Sequence, residues 1–429
     1  MRVILGLLLI FLLSTQAWAD TEFFDRFDDP YLAGYVQEGL QNNHDLQKAV
    51  WQVEEYRQNV KASFAKELPS LSTGAYYTGF HVPSLANSPL HKNAFILPFI
   101  ARYEPDFLLK NRDKTKSTKK AYESMEFQKE AVAISLASDI ATVYINLLQY
   151  DSLIDSQKKV VALNEQIAAR SQKKYDRGVI DNATLNSAKK DLETAKNTLD
   201  DLNKQRETAL TQFALLLGRS PGEEIQRGKL ETFEYKQQIP DTISSDVIFS
   251  RPDVLSAEKQ LEMANIDVRV ARKEFLPSFN IIGILAFNTI FPGSFFNWDS
   301  ILASILAGAS QDIFTGGAKV ANLKIYKARY EQLFETYRQT DLNAVKEVND
   351  ALVIIKIDTV TDNNTIEKLR LQTRDFADSG KKFKRGVISE PDLLSAEQML
   401  LNVQQTQTQT KTVRLVNYLT LYKAAGGKL

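Results

Sequence analysis

Cysteine is absent from the 429 residues, and histidine, tryptophan and methionine number only three, three and four. Without thiols the chain can build no disulfide framework, no thiolate metal centre and no cysteine nucleophile, and it has no cysteine for lipid attachment. His44, His81 and His91 stand outside the His-Glu-x-x-His spacing of a zinc helix. There is no Gly-x-Ser-x-Gly elbow. Gly222 to Lys229 resembles a phosphate loop only superficially, because five residues separate its glycines and Leu230 follows the lysine. Lysine plus arginine equals aspartate plus glutamate at 53 each, so no field of one sign points to nucleic acid. Beyond the N-terminus no run of eighteen apolar residues occurs, so any membrane contact has to come from strands or an amphipathic surface. These absences predict no enzyme, no cofactor and no metal site.

The first nineteen residues predict a removable export signal. Arg2 supplies the positive start, Val3 to Leu13 the apolar segment, and Ala17-Trp18-Ala19 a small-x-small site before Asp20. An apolar segment of eleven residues is too short to span a bilayer.

The mature sequence repeats itself. A shift of 208 residues aligns Asn43-His44-Asp45-Leu46 with Arg251-Pro252-Asp253-Val254, and Leu68-Pro69-Ser70-Leu71 with Leu276-Pro277-Ser278-Phe279. It also aligns Lys174-Tyr175-Asp176-Arg177-Gly178-Val179-Ile180 with Lys382-Phe383-Lys384-Arg385-Gly386-Val387-Ile388, and Gly218 with Gly426. The duplication divides the chain into a signal peptide (1–19), a first repeat (20–218), a linker (219–250) and a second repeat (251–429).

Each repeat reads alike. A helix (Leu46 to Lys66, or Val254 to Glu274) stops at Leu-Pro-Ser, which a helix cannot continue through. A strand-like stretch follows (Leu71 to Phe80, or Phe279 to Ile290), then a turn-rich loop and a second apolar stretch (Ala94 to Tyr103, or Ile301 to Ser310). A very long helix then runs to Tyr175 or Phe383, reverses at Arg-Gly-Val-Ile, and returns to Leu217 or Lys423. In the first return helix Leu185, Ala188, Leu192, Ala195, Leu199, Leu202, Ala209, Phe213 and Leu216 keep one heptad frame with only Arg206 out of type, which predicts coiled-coil packing. In the second, Leu393, Ala396, Leu400 and Val403 begin that frame, and it decays at Gln407, Thr410 and Arg414. The long helix, about 100 Å at 1.5 Å per residue, is matched by its two shorter partners placed end to end.

The strand stretches have the length of tilted transmembrane strands. Tyr76, Tyr77 and Phe80, with Phe287, Phe291, Phe295, Phe296 and Trp298, cluster beside the loops as an interfacial girdle would. The competing reading is a hydrophobic hairpin packed on helices, and the poor alternation of Phe95-Ile96-Leu97-Pro98-Phe99 leaves both open.

The Arg251-Pro252-Asp253-Val254 start, the downstream Leu276-Pro277-Ser278, the paired Arg-Gly-Val-Ile reversals and the 208-residue duplication together resemble the TolC family. These are the outer-membrane channels of tripartite efflux pumps and type I secretion systems. The Arg-Pro-Asp-Val stretch looks most like the NodT/OprM-like branch, whose lipid-acceptor cysteine is missing here. The resemblance implies a mainly α homotrimer in the outer membrane. Four strands per chain would form a twelve-stranded β-barrel in lipid, continued by an α-helical periplasmic tunnel. It implies an equatorial belt from Asp20 to Asn43, Arg219 to Ser250 and the C-terminal end. It implies a periplasmic adaptor and an inner-membrane pump as partners, with the adaptor docking at the tip made by Arg177, Gly178, Val179, Ile180, Arg385, Gly386, Val387 and Ile388. At the family's gate, the acidic position six after the second glycine is Asp392 here, with Glu390 a nearby alternative. The second acidic position is Ser395, the family's tyrosine is Phe383 and its arginine is Ile388. Asp392 is equally a helix-N-terminal acid favoured by the dipole. The other open reading is a soluble periplasmic coiled-coil adaptor or scaffold, which explains the heptads but not two matched strand pairs.

Overall fold

The computed structural model describes residues 22–79, 93–289 and 296–429. The expected signal peptide and the loop residues 80–92 and 290–295, with Phe80, His81, His91, Phe291 and Phe295, lie outside the described residues. The helices are α1 (Glu22–Asp25), α2 (Leu32–Asn42), α3 (His44–Phe64), α4 (Lys110–Asp176), α5 (Asn182–Leu217), α6 (Ser245–Phe249), α7 (Pro252–Lys273), α8 (Ala318–Lys384) and α9 (Glu390–Ala424). The strands are β1 (Ser70–Thr73), β2 (Tyr76–Gly79), β3 (Asn93–Tyr103), β4 (Ser278–Thr289) and β5 (Ile301–Ser310). Both long helices have 67 residues, and their return partners have 36 and 35.

The chain divides into two compact units, and each draws on both repeats. The first comprises residues up to Ala49, Gln128–Pro252 and Asp341–Leu429. An aromatic core organises it. Phe23 stacks on Tyr422 at 4.4 Å, Phe27 meets Phe233 at 5.3 Å, and Tyr35 meets Phe213 at 5.2 Å. The hydroxyl of the fully buried Tyr144 donates to Asp29 and accepts from the Gly228 amide at 3.1 Å. Asp29 in turn caps α2 by accepting from the Tyr31 and Leu32 amides, each at 2.9 Å. The segments expected in an equatorial belt therefore share this core. The stretch from Glu223 to Asp241 is polar with scattered apolar residues, which fits a mixed connector better than a buried element, yet Ile225, Leu230 and Phe233 are buried because they pack into this core. A segment of α4 is apolar and long enough to cross a membrane by composition, but two thirds of it is buried, with Ala133, Ile140 and Leu147 in this core.

The two repeats build the same joint in this unit. Asn43 donates through Nδ2 to the Leu216 carbonyl at 3.0 Å, closing the end of α5. Arg251 donates through Nη1 to the Ala424 carbonyl at 2.8 Å, closing the end of α9. Both the donors and the acceptors are 208 positions apart. Gly218 and Gly426 follow with φ of 72° and 66°, a left-handed turn that suits glycine after a helix. A Cβ on Gly218 would lie 2.5 Å from the Asn42 carbonyl oxygen, so this joint has no room for a side chain.

The heptad seam of α5 is buried or half-buried as expected, with Leu185, Ala188, Ala195, Ala209 and Phe213 inside. Where the α9 frame decays, charge replaces hydrocarbon. Asp362 on α8 is 1% exposed and pairs with Arg414 at 3.0 Å, while Glu234 of the linker bridges Arg414 at 3.1 Å and the buried Lys411 at 2.7 Å. Burial pushes the Asp362 carboxyl up, and Arg414 opposes that shift.

The second unit, Val50–Phe127 with Asp253–Thr340, carries the sheet. Its order is β1-β3-β4-β5, all antiparallel, with β2 also paired to β3. β1 and β2 are two pieces of one strand. The register is the same on both sides of the gap and sets Gly74 opposite Pro98, which has no N–H to donate. The β3–β4 ladder runs through Pro98 unbroken, so the missing donor faces β1 and β2. The sheet thus has four strand positions, with β1/β2 at one edge and β5 at the other.

Candidate functional site

Alternation along the paired strands sorts the sheet into two faces. One carries Leu71, Tyr77, Phe95, Leu97, Phe99, Ala101 and Tyr103 with Phe279, Ile281, Leu285, Phe287, Ala303 and Ile305. It has no charge. The other carries Ser70, Ser72, Tyr76, Thr78, Arg102, Ser278, Asn280, Ser304 and Ser310 among aliphatic residues such as Ile100, Ile284 and Leu302. Much of the apolar face is exposed, with Leu71 at 75% and Ile305 at 81%.

Aromatic rings bracket this apolar face at both ends. Near the loops Tyr77 meets Phe95 at 5.0 Å, and Phe287 meets Phe296 at 5.3 Å. Near the helices Phe107 meets Phe279 edge-on at 5.4 Å, beside the exposed Tyr103. Phe279 and Phe287 are eight residues apart on β4, which at about 3.4 Å per residue and a tilt of about 40° is roughly 21 Å, close to the apolar band of a barrel in lipid. The sequence pointed to the loop-side rings and missed the second band. It also grouped Tyr76 with Tyr77, but alternation puts Tyr76 on the polar face, against Gly74.

The helical reversals form the other candidate site. Gly178 and Gly386 have φ of 71° and 72°, and nothing lies within 4 Å of where a Cβ would sit, so glycine is required there by backbone conformation alone. Each turn closes the same way. The amide of Val179 donates to the Lys174 carbonyl and that of Val387 to the Lys382 carbonyl, each at 2.9 Å. Arg177, Val179, Arg385 and Val387 are exposed, and Ile180 and Ile388 are half-buried beside them. Each turn thus presents one cation and an apolar pair.

The helices that follow are capped differently. Asp181 accepts from the Thr184 amide at 2.9 Å and its hydroxyl at 2.6 Å, and these bonds hold its carboxyl below the ordinary range. In the second repeat the acid lies inside the helix. Asp392 reaches back to accept from the Ser389 hydroxyl at 2.6 Å and the Ser389 amide at 2.9 Å, and its pKa is lowered by both, the hydroxyl first. Pro391 occupies the first turn, where its missing N–H costs nothing. Glu390 is held by Arg170 of α4 at 2.5 Å, a partner that sequence reasoning had no means of finding. Ser395 and Phe383 are exposed nearby on α9 and α8.

Comparison with known proteins gives a consistent result. The profile described as "Outer membrane efflux protein" matches residues 35–219 and 243–427, one match for each repeat. The cation efflux system protein CusC of Escherichia coli O157:H7 is 26% identical over 94% of this chain and 87% of its own length. The toluene efflux pump outer membrane protein TtgC of Pseudomonas putida is 23% identical over 94% and 84%. The crystal structure of the Campylobacter jejuni CmeC outer membrane channel superposes with a TM-score of 0.85 at 24% identity, covering 95% of this chain and 88% of that one.

Proposed function

Because this chain belongs to the outer membrane efflux protein family and is an outer-membrane efflux channel with its helices in the periplasm, we propose that it works as a homotrimer. The observation that carries this reading is the sheet. Its four strand positions leave two edges without partners among the described residues, and one face carries no charge and is almost entirely apolar. A sheet edge cannot be left open in hydrocarbon, where an unpaired backbone amide costs several kcal/mol. The strands alternate in direction across the sheet, so β5 of one chain meets β1/β2 of the next antiparallel. Three chains give twelve strands, an even number as single-chain barrels of this membrane have. The apolar face then meets lipid and the serine- and asparagine-bearing face lines the lumen. A soluble adaptor would leave that apolar face uncovered.

At the helical reversals, Arg177 to Ile180 and Arg385 to Ile388 form the docking tip for a periplasmic adaptor, which couples the channel to an inner-membrane pump. The exposed cation and apolar pair of each turn suit a helical-hairpin partner. Glu390 and Asp392, with Ser395 and Phe383, form the gate region of the second hairpin. The channel does no chemistry of its own: it is a gated passive conduit for small toxic compounds, and the pump supplies the energy. CusC is named for cations and TtgC for toluene, so the cargo is set upstream. The test is the mass of the detergent-extracted particle by light scattering. Three chains per particle and ion conductance in planar bilayers are expected, and a monodisperse monomer that conducts nothing would overturn the reading.

A further inference from the structure

The sheet and the helices of the second unit meet at four junctions, and each exposes a large apolar side chain: Leu68, Phe107, Leu276 and Phe314. Phe107 is 73% and Phe314 87% exposed, and the neighbouring Leu109 and Ile313 are exposed with them. Immediately on the helix side of these anchors the composition turns basic. The first eleven residues of α4, Lys110 to Lys120, hold six cations against the single acid Asp113, and α8 from Ala318 to Tyr330 holds four cations and no acid.

The cations at the start of α4 sit where the helix dipole disfavours them. Local acids do not compensate either. Glu104 is taken by Lys110 at 3.0 Å, Asp312 by Lys319 at 3.1 Å, and Asp113 by Lys273 at 2.8 Å. Asp106 accepts from the Lys110 and Arg112 amides as the helix cap. Asp267, which lines one cleft with Lys66 and Lys114, accepts from the Ser117 hydroxyl at 2.5 Å, and Glu67 and Glu274 are the other local acids. Five exposed cations are left over among the described residues: Lys66 just beyond α3, Arg272 at the end of α7, and Arg112, Lys114 and Lys324 within two turns of the helices leaving the sheet. Along α4, Arg112 and Lys114 lie about 3 to 6 Å below the helix start, inside the Debye length over which an anionic surface acts.

We propose that these five residues form a basic collar that binds the phosphate groups of anionic phospholipids in the leaflet facing the periplasm. This rests on the reading that the apolar sheet face meets lipid. The two features are independent observations at one level of the molecule: apolar anchors mark the depth at which the headgroups begin, and unpaired cations follow at once. A lysine or arginine near an anionic surface contributes about fivefold in association.

The test is titration of short-chain phosphatidylglycerol into the detergent-solubilised full-length protein, with short-chain phosphatidylcholine and inorganic phosphate as the other arms. Phosphatidylglycerol is expected to bind at least tenfold more tightly than phosphatidylcholine, with a preference that fades in 0.5 M salt, and phosphate alone is expected to produce no comparable binding. Replacing Lys66, Arg112, Lys114 and Lys324 together by glutamine should erase the preference while bilayer conductance persists. The variant Lys66→Arg, Lys114→Arg, Lys324→Arg should keep it, which separates charge from folding. Equal binding of the two lipids by a conducting channel, or an unchanged preference in the glutamine variant, would overturn the collar alone. Loss of conductance by the unaltered protein would instead strike the channel reading.

Discussion

The guanidinium of Arg170, near the end of α4, lies 2.5 Å from the carboxylate of Glu390, the first residue of α9. The pair joins the hairpin of the first repeat to that of the second at the level of the reversals. Both side chains are more than a third exposed, so the pair contributes at most about 1 kcal/mol. If it holds the second hairpin closed, Arg170→Ala should raise the open probability in planar bilayers by up to about fivefold. The swap Arg170→Glu with Glu390→Arg should bring it back. Unchanged gating in Arg170→Ala would remove the pair from the gate.

Asp392 has two possible duties, and one substitution separates them. As a cap it needs only an acceptor for the Ser389 hydroxyl and amide, which asparagine supplies. As part of an aperture ring it needs charge. Asp392→Asn is therefore expected to keep amide protection at the start of α9 while reducing cation selectivity. Unchanged selectivity would leave capping as its sole role.

The lowered pKa of Asp392 also fixes a pH dependence. Its contribution is fully present above the ordinary carboxylate value of 3.8 and is lost as pH falls through the lower folded value. Hydrogen exchange corrected for intrinsic rate should show the α9 start equally protected at pH 7 and pH 5 and loosened below pH 4. Asp392→Asn should flatten that step. A loss of protection already complete at pH 5 would contradict the capping geometry.

Neighbouring residues on β4 test the two faces of the sheet. Leu285→Lys places a cation on the apolar face near mid-strand, where about 2 to 4 kcal/mol is expected against assembly in lipid. Ile284→Lys points to the serine-bearing face and should assemble nearly as the unaltered chain does. Equal yields of both variants in the membrane fraction would mean the faces are misassigned.

The pair of buried Asp362 and half-buried Arg414 should behave asymmetrically. Asp362→Ala leaves the half-buried Arg414 and the buried Lys411 sharing Glu234 alone and is expected to cost up to about 3 kcal/mol, read as a lowered thermal midpoint. Replacing both residues by leucine should cost far less, since hydrocarbon then continues the seam. A double variant as unstable as the single one would show that Glu234 and Lys411 depend on the pair.

Much of this was legible in sequence because the punctuation is strong. Leu-Pro-Ser, Arg-Gly-Val-Ile and the glycines after the return helices set element ends to within a residue or two, and the duplication supplied each twice. The faces of the sheet were less legible. Ile96, Ile100 and Ile284 put aliphatic side chains on the serine-bearing face, so the period of two vanishes from Phe95 to Phe99. The break between β1 and β2 depends on Pro98, which becomes Gly74's opposite only once the strands pair. Arg170 and Glu390, or Asp362 and Arg414, are ordinary surface letters until packing brings them together. At Gln407, Thr410 and Arg414 the sequence recorded a fading heptad, which turned out to be the place where the linker's Glu234 enters.

The paired joint gives the two halves of the chain separate sensitivities to mutation. The same carbonyl is held by a neutral amide, Asn43, in one repeat and by a guanidinium, Arg251, in the other. Arg251 has a second hand, which grips Glu347 at 2.7 Å. Mutation at Glu347 can therefore retune the root of one hairpin while its twin stays as it was. Two joints with the same geometry therefore differ in how far a change elsewhere in the chain can reach them.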